Sequence, residues 1–202
     1  MTEYGFIIDL EKCVGCHGCS VACKQANGTP KGVTRSRVER SYEGEYPNTK
    51  RIITPMLCML CGDPACVPAC PTGASSVNED GIVVIDKETC IGCKSCMDAC
   101  PYGARYYIEG DGGYYGELTE YETTVYADRM MTSGKVDKCD FCIGHSEDGK
   151  PDPVCVKACM VEARTFGPLD EIRKLAEEGG GEPLAAEVDT DPRVFYLPVV
   201  QA

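Results

Sequence analysis

Cysteine is the residue whose number and spacing point most directly to chemistry in this chain. The 202 residues include 16 cysteines, which fall into four groups of four and leave none over. The groups are Cys13, Cys16, Cys19 and Cys23; Cys58, Cys61, Cys66 and Cys70; Cys90, Cys93, Cys96 and Cys100; and Cys139, Cys142, Cys155 and Cys159. Short gaps of this kind let several sulfurs converge from one tight loop, so the pattern predicts metal–thiolate sites.

The spacing of the first and third groups favours iron–sulfur clusters over zinc. Both have the Cys-x₂-Cys-x₂-Cys-x₃-Cys run of bacterial ferredoxins, in which the fourth cysteine ligates the second cluster of a pair. Zinc takes thiolates from two separate Cys-x₂-Cys knuckles, and three such cysteines in seven residues leave one unused. Only the fourth group has zinc-like spacing, and its Asp152-Pro-Val-Cys155 segment resembles Asp63-Pro-Ala-Cys66 of the second group. We therefore expect four [4Fe–4S] clusters, with a zinc-binding structural protein as the alternative.

The loops themselves have features that suit a cubane. Glycines at positions 15, 18 and 92 allow a positive φ and a close approach of backbone N–H groups to sulfide. We expect a helix to begin after the third cysteine of a run and to carry the fourth sulfur toward the neighbouring cluster. Pro71 and Pro101 then fix the direction of the chain beyond that point.

The lengths of the connecting segments predict which groups share a module. The 20-residue step from Cys70 to Cys90 contains one apolar strand, Gly81–Ile85, which suits a compact two-cluster unit. Groups two and three should then pair, with groups one and four pairing around them. The fourth-cysteine rule gives Cys13, Cys16, Cys19 and Cys159 for cluster 1; Cys58, Cys61, Cys66 and Cys100 for cluster 2; Cys90, Cys93, Cys96 and Cys70 for cluster 3; and Cys139, Cys142, Cys155 and Cys23 for cluster 4. Sequential pairing, of group one with two and three with four, is the alternative.

The predicted fold class is α+β and loop-rich, with two ferredoxin-like 2[4Fe–4S] modules, one inserted in the other. The predicted parts are an outer module at 1–50 and 109–167, an inner module at 51–108, a Tyr-rich insertion at 102–138, and a C-terminal helix and extended tail at 168–202. The helix is expected over 169–178, before a run of three glycines. Residues 27–51 are expected to form a loop with one strand.

Composition and motifs exclude several classes of function. A net charge of −12 without a basic patch argues against nucleic-acid binding. No apolar stretch approaches the roughly 20 residues of a membrane span, and the N-terminal residues do not resemble a secretion signal. The sequence has no Ser/His/Asp set, P-loop or dinucleotide-binding glycine motif, so we expect no catalytic residues.

Other polar residues near the cysteines are expected to have ordinary roles. His17 lies within a complete ligand set, so it should be exposed or hydrogen-bonded, and His145 should be solvated. The lysines that flank the cysteine loops should be solvated too, although a lysine near thiolates raises reduction potentials; they are Lys12, Lys24, Lys94 and Lys138.

With its four cysteine groups, its Pro-x-Cys-Val-x-Ala-Cys repeats and the phrase Cys70-Pro-Thr-Gly-Ala, the chain resembles the four-cluster iron–sulfur subunits of the molybdopterin oxidoreductases. The resemblance covers about residues 4–26, 51–108 and 135–167. It implies a non-catalytic, nested four-cluster relay and a large catalytic partner that holds molybdenum or tungsten. A membrane-anchor, quinone-reactive subunit is a further partner that the resemblance suggests. A relay for a hydrogenase or another soluble dehydrogenase is the alternative.

The resemblance also implies a location, and the chain departs from the pattern of the family in two features. Such a subunit is cytoplasmic, or is exported while bound to a partner that carries a twin-Arg signal. Cys23 and Cys159 are followed by Lys24 and Met160 rather than proline, which predicts altered local geometry without loss of ligation. The insertion at 102–138 holds seven of the eleven tyrosines. Our hypothesis is that it packs on the catalytic subunit, and a solvent-facing hairpin is the alternative.

Overall fold

The structure is a computed structural model that describes residues 2–110, 116–126, 133–143, 145–146, 149–185 and 187–198. Short strands and short helices alternate with loops, which makes a small mixed helix-and-sheet structure. The strands are β1 (Tyr4–Asp9), β2 (Arg37–Glu43), β3 (Lys50–Met56), β4 (Ser75–Val77), β5 (Val83–Ile85), β6 (Arg105–Tyr107), β7 (Val136–Lys138), β8 (Arg164–Pro168) and β9 (Val194–Leu197). The helices are α1 (Gly18–Asn27), α2 (Ser95–Asp98), α3 (Glu120–Tyr126), α4 (Val154–Lys157) and α5 (Leu169–Gly179).

A three-stranded sheet in the order β8–β1–β9 joins distant parts of the chain. In β1, which precedes the first cysteine group, Ile7 lies opposite Thr165 of the antiparallel β8, which follows the fourth group. On its other edge β1 runs parallel to β9, with Ile7 opposite Phe195. Residues 6–8 are apolar and buried, which favours a central strand. The sheet therefore places the first and fourth cysteine groups side by side, and α1 packs against α4.

Among the described residues, three further pairs of strands are antiparallel: β2–β3, β4–β5 and β6–β7. The pair β4–β5 connects the second and third cysteine groups. The expectation of a single strand within 27–51 is wrong, because β2 and the start of β3 form a hairpin there. Most residues of β2 are exposed and several are charged, so the apolar alternation that marks a strand in a sequence is missing.

The main core combines aromatic side chains with cysteines. Phe6, Phe141 and Phe166 contact one another with ring centroids 4.9–5.4 Å apart. The same buried cluster includes Cys19, Cys58, Cys139 and Cys155. A separate small cluster packs Ile172 and Ala176 of α5 against Ile7 of β1. Much of the core thus consists of potential metal ligands, so metal binding and folding should be coupled.

The helix α5 occupies the region where the sequence predicts a helix, and it extends one residue further. Its apolar face, which includes Leu169 and Ile172, is buried. Gly180 closes the helix with a φ of 65°, a left-handed conformation that suits glycine.

The Tyr-rich insertion is described only in part, since residues 111–115 and 127–132 lie outside the described residues. Three of its tyrosines contact other residues of the same chain. The hydroxyl of Tyr102 lies 2.7 Å from Thr190 Oγ1, the hydroxyl of Tyr106 donates to Asp137, and the ring of Tyr107 lies 3.9 Å from the ammonium of Lys94. The hypothesis that the insertion packs on a catalytic subunit therefore concerns its remaining part and stays a prediction.

Among the helices that the structure describes, none is both long and apolar enough to cross a membrane.

Candidate metal centres

The loops of the first and third groups have the same backbone conformation. Gly15 and Gly92 stand at the same place in their loops and have φ values of 68° and 70°. The next positive φ belongs to His17 and Lys94, at 63° and 66°, each of which is the N-cap residue of a helix. The expectation of a positive φ at Gly18 is wrong, because that residue already begins α1. The helices also begin just before the third cysteine of each run, not after it.

The cysteines predicted for cluster 2 line one pocket. Cys58, Cys61, Cys66 and Cys100 surround a space of about 360 Å³, which includes volume open to solvent. The other lining residues include Met59, Val83 and Arg105 but no carboxylate. Burial raises the pKa of Cys61 to about 11, and the charges of Cys58, Cys66 and Cys100 add to that rise. A thiol-lined space without carboxylates suits an iron–sulfur cubane, even though Cys100 comes from the third group.

The cysteines predicted for cluster 4 are all buried. Burial raises the pKa of Cys23 to about 12, and the charges of Cys155 and Cys142 contribute. Burial also raises the pKa of Cys139, and among the neighbouring thiols the charge of Cys23 contributes most. The side-chain amide of Asn27 donates to Cys23 Sγ at 3.6 Å. Cys23 of the first group is therefore a neighbour of the fourth group.

Clusters 1 and 3 are predicted at more exposed sets of cysteines. Burial raises the pKa of Cys13, and the charges of Cys19 and Cys159 contribute. Burial likewise raises the pKa of Cys96, and the charges of Cys70 and Cys90 contribute. Each of these two sets also has one solvent-exposed member, Cys16 in the first and Cys93 in the third. All four predicted sets thus contain neighbours in space, while ligation of iron by the individual sulfurs stays a prediction.

The donor set fits cubanes better than single ions. All sixteen cysteines are free thiols. Among the described residues, no group of three or more His, Cys, Asp or Glu side chains is arranged to hold one metal ion. Four thiolates on one zinc ion surround a single point, whereas the four ligands of a cubane bind separate iron corners. Three cysteines within seven residues, as in the first and third groups, are compatible with the second geometry.

Comparisons with known proteins agree with the chemistry of these thiols. Three family models described as 4Fe-4S dicluster domains match residues 12–74, 49–114 and 82–160. The chain is 37% identical to the B subunit of sulfite dehydrogenase from Allochromatium vinosum, over 98% of this chain and 84% of that protein. It is 36% identical to the B subunit of anaerobic dimethyl sulfoxide reductase from Escherichia coli, over 98% and 89%. It is 34% identical to the arsenate respiratory reductase iron–sulfur subunit of Shewanella sp., over 96% and 95%.

This protein belongs to the family of iron–sulfur B subunits of reductase and dehydrogenase complexes. Such a subunit transfers electrons and is not the catalytic subunit of its complex, which confirms the sequence-based expectation. The three dicluster matches likewise support several [4Fe–4S] clusters.

This iron–sulfur subunit contains buried cations beside its cysteines, and the sequence analysis did not predict their burial. Three of them are in no ion pair among the described residues. They are Arg105, Lys138 and Arg164. The expectation that Lys138 is solvated is wrong, because it is only 2% exposed. A repeat could have revealed the arginines, since each follows an alanine and stands five residues after the last cysteine of its group.

The histidines of the iron–sulfur subunit lie beside the cysteines, and no contact that the structure describes makes either a ligand. The expectation that His145 is solvated is wrong: the residue is half-buried, and its Nε2 lies 3.2 Å from Asn27 Oδ1. Asn27 also accepts a 2.7 Å hydrogen bond from Arg35. Since Asn27 contacts Cys23, these residues form a hydrogen-bonded cluster of polar side chains beside the cysteines of cluster 4.

Proposed function

We propose that this iron–sulfur subunit relays single electrons through four [4Fe–4S] clusters, to or from a large catalytic subunit that holds molybdenum or tungsten in a molybdopterin cofactor. The observation that carries the proposal is the grouping of sixteen free thiols into four neighbouring sets. The clusters supply one-electron redox chemistry when bound. The residues of the chain fix their positions, exclude water from the inner sets and place charge beside them.

The nested arrangement of two modules accounts for the neighbouring cysteines. Pairing of β1 with β8 supports an outer module at 1–50 and 109–167, and the β4–β5 hairpin supports an inner module at 51–108. Cys23 lies near Cys155, and Cys100 lies near Cys61, as cross-ligation within nested modules requires. Sequential pairing would instead bring Cys23 to the second group. The segment 168–202 adds α5 and β9 to the outer sheet.

Substitution of ligands tests the nested arrangement. In the nested scheme, Cys159 and Cys16 bind the same cluster, so Cys159→Ser and Cys16→Ser should alter the same paramagnetic signal of the reduced holoprotein. Sequential pairing would assign Cys159 to cluster 3, and Cys159→Ser would then alter the same signal as Cys93→Ser. Cys155→Ser, four residues away, is the matched control and should alter the signal of cluster 4.

The contacts between sets support the order 1–4–2–3 for the relay. Burial lowers the pKa of Arg164, whereas the charges of Cys155 of cluster 4 and Cys19 of cluster 1 both raise it. Cys139 of cluster 4 and Cys58 of cluster 2 belong to one core. Clusters 2 and 3 are linked through Arg105, which lies among cysteines of both. Clusters 1 and 3, the two with an exposed cysteine, are then the ends of the relay.

The ends of the relay are the proposed sites of electron exchange with partners. Val14 and Ile91 follow the first cysteine of their loops and are 56% and 65% exposed. Exposed apolar side chains beside a redox centre suit docking of a partner protein. One end would contact the catalytic subunit, and the other would receive a second redox partner, such as a membrane-anchor subunit.

Coexpression with a candidate large subunit, sought among the genes next to the one that encodes this chain, tests the proposal. The purified complex should contain molybdenum or tungsten, and the substrate of the large subunit should reoxidise the prereduced clusters or, for a dehydrogenase, reduce them. Val14→Glu and Ile91→Glu should each block one of the two electron-exchange steps and leave the other intact. A stable complex with a hydrogenase or another dehydrogenase that lacks both metals would overturn the molybdopterin partner and keep the relay.

A further inference from the structure

Three buried cations lack the carboxylate partners that buried cations normally have. Arg105, Lys138 and Arg164 are 5%, 2% and 4% exposed. No ion pair among the described residues includes any of them. Two nitrogens of Arg105 and both terminal nitrogens of Arg164 have no hydrogen-bond partner within the described structure. A buried charge without a counter-charge is strongly unfavourable, so a negative group belongs beside each cation.

Other buried arginines of the chain are paired in the usual way. Arg35 lies 2.8 Å from Asp137, and Arg193 lies 2.5 Å from Glu3. Arg35 also lies near a cysteine, since it donates to Asn27, which contacts Cys23. Its charge is nevertheless balanced by Asp137 and Asp140. The three unpaired cations differ because they have cysteines beside them and no carboxylate in an ion pair.

Arg105 lies between the cysteines of clusters 2 and 3. Its Nη2 donates to Cys66 Sγ at 2.8 Å and to Ser75 Oγ at 2.7 Å. Burial lowers the pKa of Arg105, but the charges of Cys66 and Cys96 outweigh burial and raise it. Cys66 belongs to the set for cluster 2 and Cys96 to the set for cluster 3.

Arg164 occupies the matching place between clusters 4 and 1. The backbone N–H of Ala163, the residue before it, donates to Cys159 Sγ of cluster 1 at 3.3 Å. Burial lowers the pKa of Arg164, and the charges of Cys155 and Cys19 outweigh that effect. Cys155 belongs to the set for cluster 4 and Cys19 to the set for cluster 1. The two arginines stand at the same point of the internal repeat, each at the start of the strand that follows its last cysteine.

Lys138 lies between the cysteines of clusters 4 and 2. Its ammonium donates to the backbone oxygen of Cys139 at 2.6 Å. Burial raises the pKa of Cys66, and the positive charge of Lys138 partly offsets that rise. Lys138 is also directly opposite Arg105 in the β6–β7 ladder. Like charges in directly opposite positions repel each other, so this pair too requires negative charge nearby.

We propose that Arg164, Lys138 and Arg105 are fixed counter-charges at the three successive junctions of the relay, and that each raises the reduction potential of the two clusters beside it. The proposal rests on the proposed relay. Each one-electron reduction adds negative charge to a site that its thiolates already make negative, and a fixed cation stabilises that reduced state. Clusters 4 and 2, in the middle of the relay, each lie beside two of the cations.

Neutral substitutions in the full chain, purified anaerobically with its clusters, test the proposal. Arg164→Gln, Lys138→Gln and Arg105→Gln should each lower the potentials of the two clusters at their own junction, measured by redox titration followed by paramagnetic resonance. We expect at least a tenfold change in the one-electron reduction constant, which is about 59 mV. Cluster 4 should respond to both Arg164→Gln and Lys138→Gln, and cluster 2 to both Lys138→Gln and Arg105→Gln.

Arg193→Gln is the matched control, because Arg193 is equally buried but is paired with Glu3. It should leave all four potentials unchanged. Unchanged potentials in the three test variants, or the same shift in every cluster, would overturn the counter-charge role. An iron content in the unsubstituted chain too low for four clusters would instead overturn the relay itself.

Charge-conserving variants decide the outcome if a neutral variant loses its clusters. Arg105→Lys, Arg164→Lys and Lys138→Arg should keep the full iron content and shift the potentials much less than the glutamine variants. If the conservative and neutral variants lose iron equally, the side chains act through their shape, and the proposal is wrong.

Discussion

The loop of the third cysteine group should depend on Gly92 more strongly than on other glycines with the same backbone conformation. Gly92 has a φ of 70°, and a Cβ at this position would lie 2.0 Å from the carbonyl oxygen of Gly134 and 3.1 Å from Tyr107 Cε2. Gly73 has a φ of 72°, and a Cβ there would meet no atom within 4 Å. The two glycines therefore share the backbone strain and differ only in the clash.

The cost of each substitution follows from this comparison. Alanine in the left-handed region costs about 1–2 kcal/mol at either position. Gly92→Ala must also displace the backbone at Gly134, whose N–H donates to Ile108 in the β6–β7 connection. Overpacking of this kind adds about 1–3 kcal/mol. Since about 1.4 kcal/mol is a factor of ten, we expect Gly92→Ala to lose clusters roughly tenfold faster than Gly73→Ala.

Loss of visible absorbance in guanidinium chloride under anaerobic conditions measures that rate. Paramagnetic resonance of samples taken during the decay should show that cluster 3 disappears first in Gly92→Ala. Equal decay rates for Gly92→Ala and Gly73→Ala would show that contact with Gly134 does not hold the loop, and would refute the reasoning.

Three further predictions concern stability and assembly. Asp137→Asn breaks a buried ion pair with Arg35 and should cost about 3 kcal/mol, or roughly 6–12 °C in the apparent Tm of the holoprotein, whereas Glu39→Gln at the exposed pair with Arg37 should change it little. Removal of iron by a chelator should abolish near-ultraviolet circular dichroism and protease resistance, because cysteines form much of the core; an apoprotein that kept both would contradict this coupling. Deletion of residues 110–132 should weaken copurification with the catalytic subunit, and an intact complex would reject the interface role of the insertion.

Local features of the fold could be predicted from the sequence because short segments determine them. The spacing of cysteines and glycines predicts tight loops, and the structure gives Gly15 and Gly92 the same positive φ. Apolar runs indicate β1 and β5, and the amphipathic pattern before three glycines indicates α5. In each of these cases the residues that determine the conformation lie within about ten positions of one another.

Features that depend on distant contacts could not be predicted in the same way. The strand β2 lies largely in solvent, so no apolar periodicity marks it. The helix α3 has only seven residues, too few for a helical period to distinguish it from a loop in the sequence. Lys138 looks like a surface lysine in the sequence, and only the folded chain places it beside Cys66, 72 positions away.

The central claim is that the sixteen thiols hold four cubanes, and the content of iron and acid-labile sulfide tests it most directly. We expect about sixteen iron atoms and an equal amount of sulfide per anaerobically purified chain, together with paramagnetic signals on reduction that integrate to about four spins. About four or fewer iron atoms per chain, without signals on reduction, would contradict the account.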